Sequence, residues 1–303
     1  MKTVSIITVN FNQPKVTEEL LASIPKTGLE IIVVDNGSKT DYTLDWRTKY
    51  PDIKFIRSEQ NLGFAGGNNL GIAQATGDYL FFVNNDTEFT TGLTDILVEV
   101  TDANPKVGLA SPKIKYYNDK SLIQYAGYTP MNFYTCRNSC IGLREKDTGQ
   151  YDHITGPTAY CHGAAMMVRK QAIEKAGMMN ENFFLYYEEV DWCERIKEAG
   201  YQAWVCTDAL IYHKESVSVG KKSRLKEYFM NRNRILFIRR NAPLFKMVVF
   251  YVYFILLVTP RNVLAYLKDK NYSFIPMLFK ATWWNLTHSK NSKNLGYLIN
   301  TIA

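Results

Sequence analysis

Acidic and amide side chains stand directly after short apolar runs of this sequence. Asp86 ends the segment Asn84–Asp86, which follows the apolar run at residues 79–83. A hard divalent cation such as Mg²⁺ or Mn²⁺ takes oxygen ligands, and here it would bind the carboxylate together with waters and a bound diphosphate. Asx residues after a strand are also common turn formers. The segment therefore indicates either a metal-binding edge of a sheet or a structural turn.

A second group of candidate residues lies in the segment YYEEVDWCER, which holds three carboxylates close together. A helix predicted over residues 189–199 places Glu189 in its first turn, where a carboxylate is favoured by the peptide dipole and also serves as a cap. A rotation of about 100° per residue puts Glu188 and Asp191 on one face and Glu189 on another. We therefore expect Glu189 to be a general base toward a hydroxyl, with Asp191 as its rival.

Two further candidates are single residues at the ends of predicted strands. Asp35 ends the β-branched run EIIVVD, where its carboxylate either accepts from a nucleobase N–H or caps the next helix. His213 follows the apolar run ALIY. Histidine is a common metal ligand, but an isolated one is more often structural. Alone, neither residue indicates a functional site; the functional interpretation depends on the candidates occurring together.

The elements that position these side chains alternate between strands and helices. Short apolar runs that alternate with helical spacing predict an α/β fold with a mainly parallel sheet covered on both faces. Ligands of such sheets bind beyond the carboxyl ends of the strands, where this sequence has Asn10, Asp35 and residues 84–86. The predicted strands are residues 4–9, 30–35, 53–58, 79–83 and 107–111, and the predicted helices are residues 14–23, 66–75 and 91–103.

The middle of the chain is less regular. Residues 112–160 are rich in Tyr, Asn, Thr and Gly, which predicts loops and short strands on an acceptor side of the fold. A second block follows, with a strand in GAAMMVRK, a helix at residues 171–176 and the helix at residues 189–199, after which Gly200 occupies a C-cap position. Two short strands are predicted at residues 203–206 and 209–212.

Composition excludes several classes of protein. With 303 residues and 46% apolar content, the chain suits a large folded unit and excludes collagen, low-complexity disorder and disulfide-rich mini-proteins. Its five cysteines include no C-x-x-C pair, which indicates a reducing compartment and argues against a structural zinc site. The opening MKTVSIITVNFN lacks the features of a secretory signal. We therefore expect a cytoplasmic protein.

The charge is divided unevenly along the chain. Residues 214–303 hold 16 Lys or Arg against 3 Asp or Glu, whereas residues 1–213 hold 20 against 26.

A basic helix is predicted at residues 224–240, followed by apolar, aromatic stretches at 243–260 and 272–284. The uninterrupted core at 247–258 has 12 residues, fewer than the ~20 that span a bilayer. We predict a catalytic domain at residues 1–220 and a region at 221–303 that lies in the plane of a membrane surface, the alternative being that its helices pack on the catalytic domain. Its aromatic residues lie in apolar blocks, which argues against nucleic acid.

In this order the motifs resemble the inverting glycosyltransferases of family 2, and in particular their rhamnosyltransferase-like bacterial members. The resemblance rests on SIITVNFN, VVDNGS, NLGFAGGNNLGI, FFVNND, HGAAMMVRK, FFLYYEEVDWCERIKEAGY and His213, from residue 4 to about residue 213. It implies the GT-A fold of nucleotide-diphospho-sugar transferases, a Rossmann-like mixed, mainly parallel sheet with helices on both faces, here followed by basic and aromatic C-terminal helices.

The resemblance also assigns roles to residues. Asn84–Asp86 matches the family's D-x-D motif, with Asn84 in place of the first acid, so that Asp86 and His213 are the implied ligands of Mg²⁺ or Mn²⁺. Glu189 occupies the position of the catalytic base. Arg232 and Arg234 are implied contacts of the diphosphate. The residues implied to bind the nucleotide are Thr8, Asn10, Asp35, Gly66, Gly67, Asn69, Asn84 and Asn85.

The implied activity is transfer of a sugar, with dTDP-rhamnose as the favoured donor, to a hydroxyl of a saccharide or a lipid-linked saccharide in surface polysaccharide assembly. The protein would then be peripheral on the cytoplasmic face of the cell membrane. A single displacement in which Glu189 removes the acceptor proton inverts the anomeric centre. Two alternatives stand beside this hypothesis. Loss of the first acid at Asn84 would suit a non-catalytic protein that binds nucleotide-sugars or docks at a membrane, and nucleotidyl transfer uses a similar sheet but needs a Gly-rich basic loop where this chain has NFNQPK.

Overall fold

The computed structural model describes residues 2–25, 28–214 and 223–299. The central strands are apolar runs that are buried over most of their length. The strands of the described residues are β1 (Val4–Asn10), β2 (Leu29–Asn36), β3 (Lys54–Ser58), β4 (Tyr79–Val83), β5 (Thr87–Phe89), β6 (Val107–Tyr116), β7 (Ile123–Tyr125), β8 (Thr155–Pro157), β9 (Ala165–Arg169) and β10 (Gln202–His213).

The strands form one mixed sheet. Its order is β3-β2-β1-β4-β9-β6-β10-β5, with β7 beside β6 and β8 beside β10. Strands β3, β2, β1 and β4 are parallel to one another, as are β6 and β10. Strand β9 lies between β4 and β6 and is antiparallel to both. The carboxyl ends of β1, β2 and β4 therefore meet at one edge, as the sequence predicted.

Helices cover both faces of this sheet, because its central strands are apolar on both sides. Ile6 and Ile7, which are neighbours on β1, belong to two different core clusters. The helices are α1 (Pro14–Ser23), α2 (Thr43–Lys49), α3 (Gly63–Ile72), α4 (Leu93–Ala103), α5 (Lys170–Ala176), α6 (Glu188–Glu198), α7 (Arg224–Asn241), α8 (Leu244–Tyr253), α9 (Thr259–Lys268) and α10 (Ile275–Thr287). Helices α1, α2 and α4 pack on one face, and α3, α5 and α6 pack on the other. The predicted α/β fold class is confirmed.

Several predicted bounds differ from the structure. The two strands predicted at 203–206 and 209–212 form the single strand β10, whose register against β6 shifts between Cys206 and Leu210. The exposed Asp208 lies in this irregularity, which explains the apparent break in the apolar pattern. Strand β6 runs five residues past the predicted end at residue 111, and α6 begins at Glu188 instead of Glu189.

The C-terminal helices pack on the body through α7. Ile235, Leu236 and Phe237 of α7 are buried in a cluster that also holds Phe183 of the body and Trp284 of α10. The predicted domain boundary at residues 220 and 221 lies outside the described residues. The alternative that these helices pack on the catalytic domain thus holds for α7 and α10.

Helices α8 and α9 are joined by a π-helical turn, Phe254–Val258, into one helix, Leu244–Lys268. This helix has 25 residues and is, by length and composition, the one helix of the described chain that is suited to cross a membrane. The prediction that the apolar stretch is too short to span a bilayer is therefore wrong. Most of the helix is exposed. We name its outward side chains the exposed apolar face: Leu244, Phe245, Val248, Val252, Ile255, Leu256, Leu257, Leu264 and Leu267.

Candidate active site

Asp86 and His213 are brought together by the pairing of two strands. Asp86 lies in the turn between β4 and β5, and His213 is the last residue of β10. Strand β5 is antiparallel to β10 with Thr87 opposite His213, and the Lys214 N–H donates to the Asp86 carbonyl at 2.9 Å. As a result, the Asp86 Oδ1 and the His213 Nε2 are 3.1 Å apart, and both residues are buried. The pairing expected from the sequence is present.

In the Asp86–His213 pair, two atoms that can accept hydrogen bonds face each other. The His213 Nδ1 is 2.8 Å from the Gln124 Oε1, an acceptor, so in a neutral ring the proton lies on Nδ1 and the lone pair on Nε2. That lone pair faces Asp86 Oδ1, which is buried and has no hydrogen-bond partner among the described residues. The amide of Asn84 approaches Nε2 only at 3.5 Å. Two acceptor atoms in this position suit a shared cation.

The donor set is small. Within residues 2–25, 28–214 and 223–299, no group of three His, Cys, Asp or Glu side chains is placed to hold a metal. Mg²⁺ is usually bound by one or two protein carboxylates, with waters and substrate phosphates as its other ligands. Asp86 and His213 fit such a site as two protein ligands, and they leave its remaining positions open.

Glu188 and Glu189 begin α6 after a strained segment of backbone. Tyr186 and Tyr187 both have positive φ, of 70° and 74°, an uncommon conformation for bulky residues that clusters at functional sites. Glu189 keeps partial exposure, whereas Glu188 is buried. Burial raises the pKa of Glu189 above its usual value. A partly exposed carboxylate with a raised pKa has the properties of a general base.

Glu188 has a different environment. Its Oε2 atom is buried and has no hydrogen-bond partner within the described part of the chain. Burial, together with the charge of Glu189, raises the pKa of Glu188 well above its usual value. Glu188 therefore holds its proton more firmly than an exposed glutamate does.

Asp191 is engaged in ion pairs. Its carboxylate is buried and accepts from the Nε atoms of Arg195 and Arg240, both at 3.1 Å, and from the Asn241 amide at 3.0 Å. Arg240 and Asn241 lie at the end of α7, so Asp191 ties α6 to α7. These contacts give Asp191 a structural role and leave Glu189 as the better placed candidate base.

The loop at His162 and Gly163 is close to both the Asp86–His213 pair and Glu189, and sequence analysis did not single it out as part of the site. The ring of His162 is 6.2 Å from that of His213, centroid to centroid. A Cβ at Gly163 would lie 3.4 Å from the Glu189 Cγ. His162 Nδ1 accepts from the Ala164 N–H at 3.0 Å, and burial lowers the pKa of His162 to about 3. The neutral ring therefore carries its proton on Nε2.

The predicted nucleotide contacts at β1 and β2 form a buried network. The Asn10 amide donates to Asp35 Oδ1 at 2.8 Å, the Ser38 hydroxyl also donates to Asp35, and Arg57 forms an ion pair with it. Arg57 was not predicted, because the two residues are distant in sequence. Thr8 is buried, and its hydroxyl has no partner among the described residues.

The predicted contacts on α3 have partners inside the protein. A Cβ at Gly67 would lie 2.9 Å from a methyl carbon of Val9, and one at Gly66 would lie 2.6 Å from the Leu62 Cβ. Asn69 donates to the Met179 carbonyl at 2.9 Å. The two glycines therefore allow close packing of α3 within the fold. In the turn after β4, the Asn85 amide donates to the Thr17 hydroxyl at 3.1 Å.

Arg232 and Arg234 fix α7 to the body. Arg232 is completely buried, donates to the Asn182 carbonyl at 2.7 Å and stacks on the ring of Trp284. Arg234 donates to the Thr135 carbonyl. The structure does not bring either guanidinium to Asp86 or His213 in any contact of the described residues, so their assignment to a diphosphate has only the sequence resemblance behind it.

A cavity of about 560 Å³ opens at the carboxyl ends of β1, β2 and β3. It is next to the Asp35 network, because Ser38 lines it and contacts both Asp35 and the Asn12 N–H. Its lining from the body consists of Phe11, Asn12, Gly37, Ser38, Lys39, Glu59, Gln60, Asn61, Leu62, Glu181 and Phe184. We name it the strand-end cavity.

The family model described as "Glycosyl transferase family 2" matches residues 5–177, more than half of the chain. A hexosyltransferase of low-salt glycan biosynthesis, Agl10 of Haloferax volcanii, is 28% identical over 91% of this chain and 89% of its own length. The N-acetylglucosaminyl-diphospho-decaprenol L-rhamnosyltransferase of Mycobacterium tuberculosis is 22% identical over 71% and 77%. The dTDP-rhamnosyl transferase RfbF of Shigella flexneri is 26% identical over 82% and 86%.

Among solved structures, GalNAc-T7 in a crystal with UDP, GalNAc and Mn²⁺ superposes with a TM-score of 0.61. The alignment covers 79% of this chain and 48% of that one, so this chain spans about half of its length. At 14% identity the similarity concerns the fold. It places the sheet and helices described above among the GT-A folds, as the sequence predicted.

Proposed function

Because this chain belongs to glycosyltransferase family 2 and is therefore a glycosyltransferase, we propose that it transfers a sugar from a nucleotide-diphospho-sugar to an acceptor hydroxyl with inversion at the anomeric carbon. The observation that carries this proposal is that the His162–Gly163 loop is close both to the Asp86–His213 pair, through His162, and to Glu189, through Gly163. In an in-line displacement the diphosphate leaves from one side of the anomeric carbon and the hydroxyl attacks from the other side. Each of the two groups therefore needs its own protein partner near that carbon.

The favoured donor is dTDP-rhamnose. Two relatives named above are rhamnosyltransferases, and one of them is named for the dTDP-linked donor. The buried carboxylate of Asp35 next to the strand-end cavity supports a pyrimidine nucleotide, whose N3–H donates a hydrogen bond. In this proposal Thr8 and Asn10 belong to the same nucleotide site, and the buried Thr8 hydroxyl, which has no partner among the described residues, supports a polar ligand next to it.

In the reaction Glu189 removes the proton of the acceptor hydroxyl as its oxygen attacks the anomeric carbon from the side opposite the diphosphate. The raised pKa of Glu189 matches this role, since a stronger base takes the proton more readily. The strained backbone at Tyr186 and Tyr187 directly precedes α6 and so fixes the orientation of its first turn, which holds Glu189. The N–H of His162 Nε2 is oriented by the bond from Ala164 and is available to an oxygen of the donor.

Asp86 and His213 are the residues that would hold Mg²⁺ or Mn²⁺, and the unpartnered Asp86 Oδ1 supports this assignment. The cation would supply positive charge against the departing nucleoside diphosphate. Asn84 is a weaker ligand than the acid it replaces, so the pair itself carries most of the affinity.

The acceptor in this proposal is a saccharide, and specifically one linked to a lipid at the cytoplasmic face of the membrane. The exposed apolar face of the helix Leu244–Lys268 supports the membrane location, since large contiguous apolar surfaces are unusual in soluble monomers. A relative whose name includes a diphospho-decaprenol acceptor supports the lipid.

The test is an assay with dTDP-rhamnose and UDP-hexoses, a lipid-linked or soluble saccharide acceptor, and Mg²⁺ or Mn²⁺. We expect nucleoside diphosphate and a glycoside of inverted configuration, read by chromatography and by the anomeric coupling in NMR. Inorganic diphosphate as the product would indicate nucleotidyl transfer. Nucleotide binding with no product from any donor would indicate the non-catalytic protein that the loss of the first acid at Asn84 favours, and a retained configuration would refute the mechanism.

A further inference from the structure

Residues 293–299, which follow α10, return to the body of the protein. We name them the return segment. The Trp284 Nε1–H donates to the Asn294 carbonyl and the Tyr228 hydroxyl donates to the Leu295 carbonyl, both at 2.9 Å. The ring of Tyr297 packs against Tyr228, with centroids 5.1 Å apart. The segment is therefore held by hydrogen bonds to its backbone and by an aromatic contact.

The contact of the return segment with the body requires glycine at position 296. It has a φ of 68°, in the left-handed region that favours glycine. A Cβ at this position would overlap the ring of Trp284 and the hydroxyl of Tyr228, the two side chains that hold the segment. Only glycine allows the backbone to lie this close to them.

The docked segment forms part of the wall of the strand-end cavity. Lys293, Leu295 and Ile299 line it, opposite the loops that follow β1, β2 and β3. These loops are distant from the return segment in sequence and meet it at this cavity. Phe184 of the body lines the cavity and belongs to the same apolar cluster as Leu295 and Ile299. The apolar part of the cavity lining therefore extends from the body onto the return segment.

We propose that the return segment is a nucleotide-binding element: it closes the donor site, with Leu295 and Ile299 as an apolar wall beside the nucleoside and Lys293 as a cation for a nucleotide oxygen. The proposal rests on the proposed function, because it takes the strand-end cavity as the donor site. Lys39 and Lys293 line the cavity together with Glu59 and Glu181, and Glu181 is already bonded to the Asn69 amide at 2.9 Å. The described lining thus carries two ammonium and two carboxylate groups, and Lys293 is the cation that the return segment contributes to it.

The first test compares Lys293→Ala with Lys290→Ala in the full chain, by calorimetry with UDP and dTDP. Lys290 is an exposed lysine near the same segment that does not line the cavity. Loss of a charged hydrogen bond should raise the Kd of Lys293→Ala about tenfold or more and leave Lys290→Ala unchanged. A loss seen with UDP but not with uridine identifies a phosphate oxygen as the partner, and an equal loss with both identifies an oxygen of the nucleoside. Unchanged UDP binding by Lys293→Ala would refute the role of the lysine.

The second test is Gly296→Ala, whose Cβ should displace the return segment from the body. We expect weaker nucleotide binding than in Lys293→Ala, with the melting temperature measured alongside to separate local displacement from unfolding. Binding as tight as that of the parent chain by both variants would overturn the proposal. If the parent chain itself binds neither UDP nor dTDP, the proposed function fails, which is a different outcome from equal binding by parent and variants.

Discussion

Replacing Glu189 with glutamine should separate catalysis from folding in this enzyme. Glutamine keeps the size of the side chain but cannot take a proton from the acceptor hydroxyl. General-base catalysis contributes about 10²–10⁴-fold, which corresponds to about 3–5 kcal/mol in the activation free energy. We expect turnover to fall by that factor. Nucleotide binding should not change, because Glu189 does not line the strand-end cavity.

The structure predicts a different pattern for Asp191→Asn, a loss of stability with a smaller loss of turnover than Glu189→Gln causes. This change removes the charge that pairs with Arg195 and Arg240 in a buried position. Breaking a buried ion pair costs about 3–5 kcal/mol. For a chain of this size, at about 2 °C per kcal/mol, the melting temperature should fall by about 6–10 °C. Glu189→Gln should not lower it, since burial already disfavours the charged form of Glu189.

The assay measures release of nucleoside diphosphate at a temperature well below both melting transitions, with Glu198→Gln as the control. Glu198 is an exposed carboxylate at the far end of the same helix and should be neutral in rate and stability. If Glu189→Gln keeps more than a tenth of the parent rate while Asp191→Asn loses most of it in the folded state, Asp191 is the base and the assignment argued here is refuted.

Four other outcomes follow from the site and the helices. Asp86→Ala should abolish metal-stimulated turnover with the fold intact; a parent enzyme insensitive to chelator would contradict the metal site. Glu188 in the folded protein keeps its proton at pH values where Glu188 of the unfolded chain, with its usual pKa of 4.5, has lost it. The free energy of unfolding of the parent chain should therefore fall as the pH rises above 4.5. Urea titrations at several pH values should show a smaller fall for Glu188→Gln. UDP or dTDP should bind more tightly than GDP in calorimetry; equal binding would remove the role of Asp35. The full chain should float with anionic liposomes and resist high salt in part, and Leu256→Asp on the exposed apolar face should weaken this, whereas a soluble parent chain would refute membrane binding.

The strands and their functional ends could be predicted because they depend on local pattern. A buried strand is an apolar run of about five residues, and the polar residues that stop it mark the edge of the sheet. This is why Asn10, Asp35 and Asp86 were identified without a structure. Where the pattern failed, at β10, a local irregularity at Asp208 interrupted the apolar alternation without ending the strand.

The long apolar helix shows a different limit of sequence analysis. Lys246 and Pro260 divide its sequence into pieces that look too short to span a membrane. In the structure the π-helical turn Phe254–Val258 precedes Pro260, and the altered hydrogen bonding of such a turn lets the helix continue through the proline. A proline inside an apolar stretch is taken as a break in a sequence-based prediction, and sequence spacing does not show that the turn before it is π-helical.

The contacts that complete the site could not be predicted because they join distant residues. Gln124 sets the tautomer of His213, Arg57 pairs with Asp35, and Lys293 reaches the strand-end cavity. None of these side chains has a local pattern that distinguishes it from a surface residue. A single sequence contains no information on such pairings unless they are part of a known motif.

The position of Asp191 connects catalysis to the C-terminal helices. Its carboxylate lies two residues after Glu189 on α6 and binds Arg240 and Asn241, the last residues of α7. Helix α8, with the exposed apolar face, begins three residues later at Leu244. Asp191 therefore links the first turn of α6 to the end of α7, close to the start of α8. With Glu189 as the proposed base and the strand-end cavity as the proposed donor site, we expect loss of Asp191 to lower kcat, by less than Glu189→Gln does, and to leave the KM for the donor unchanged, because the described lining of the cavity has no residue of α6.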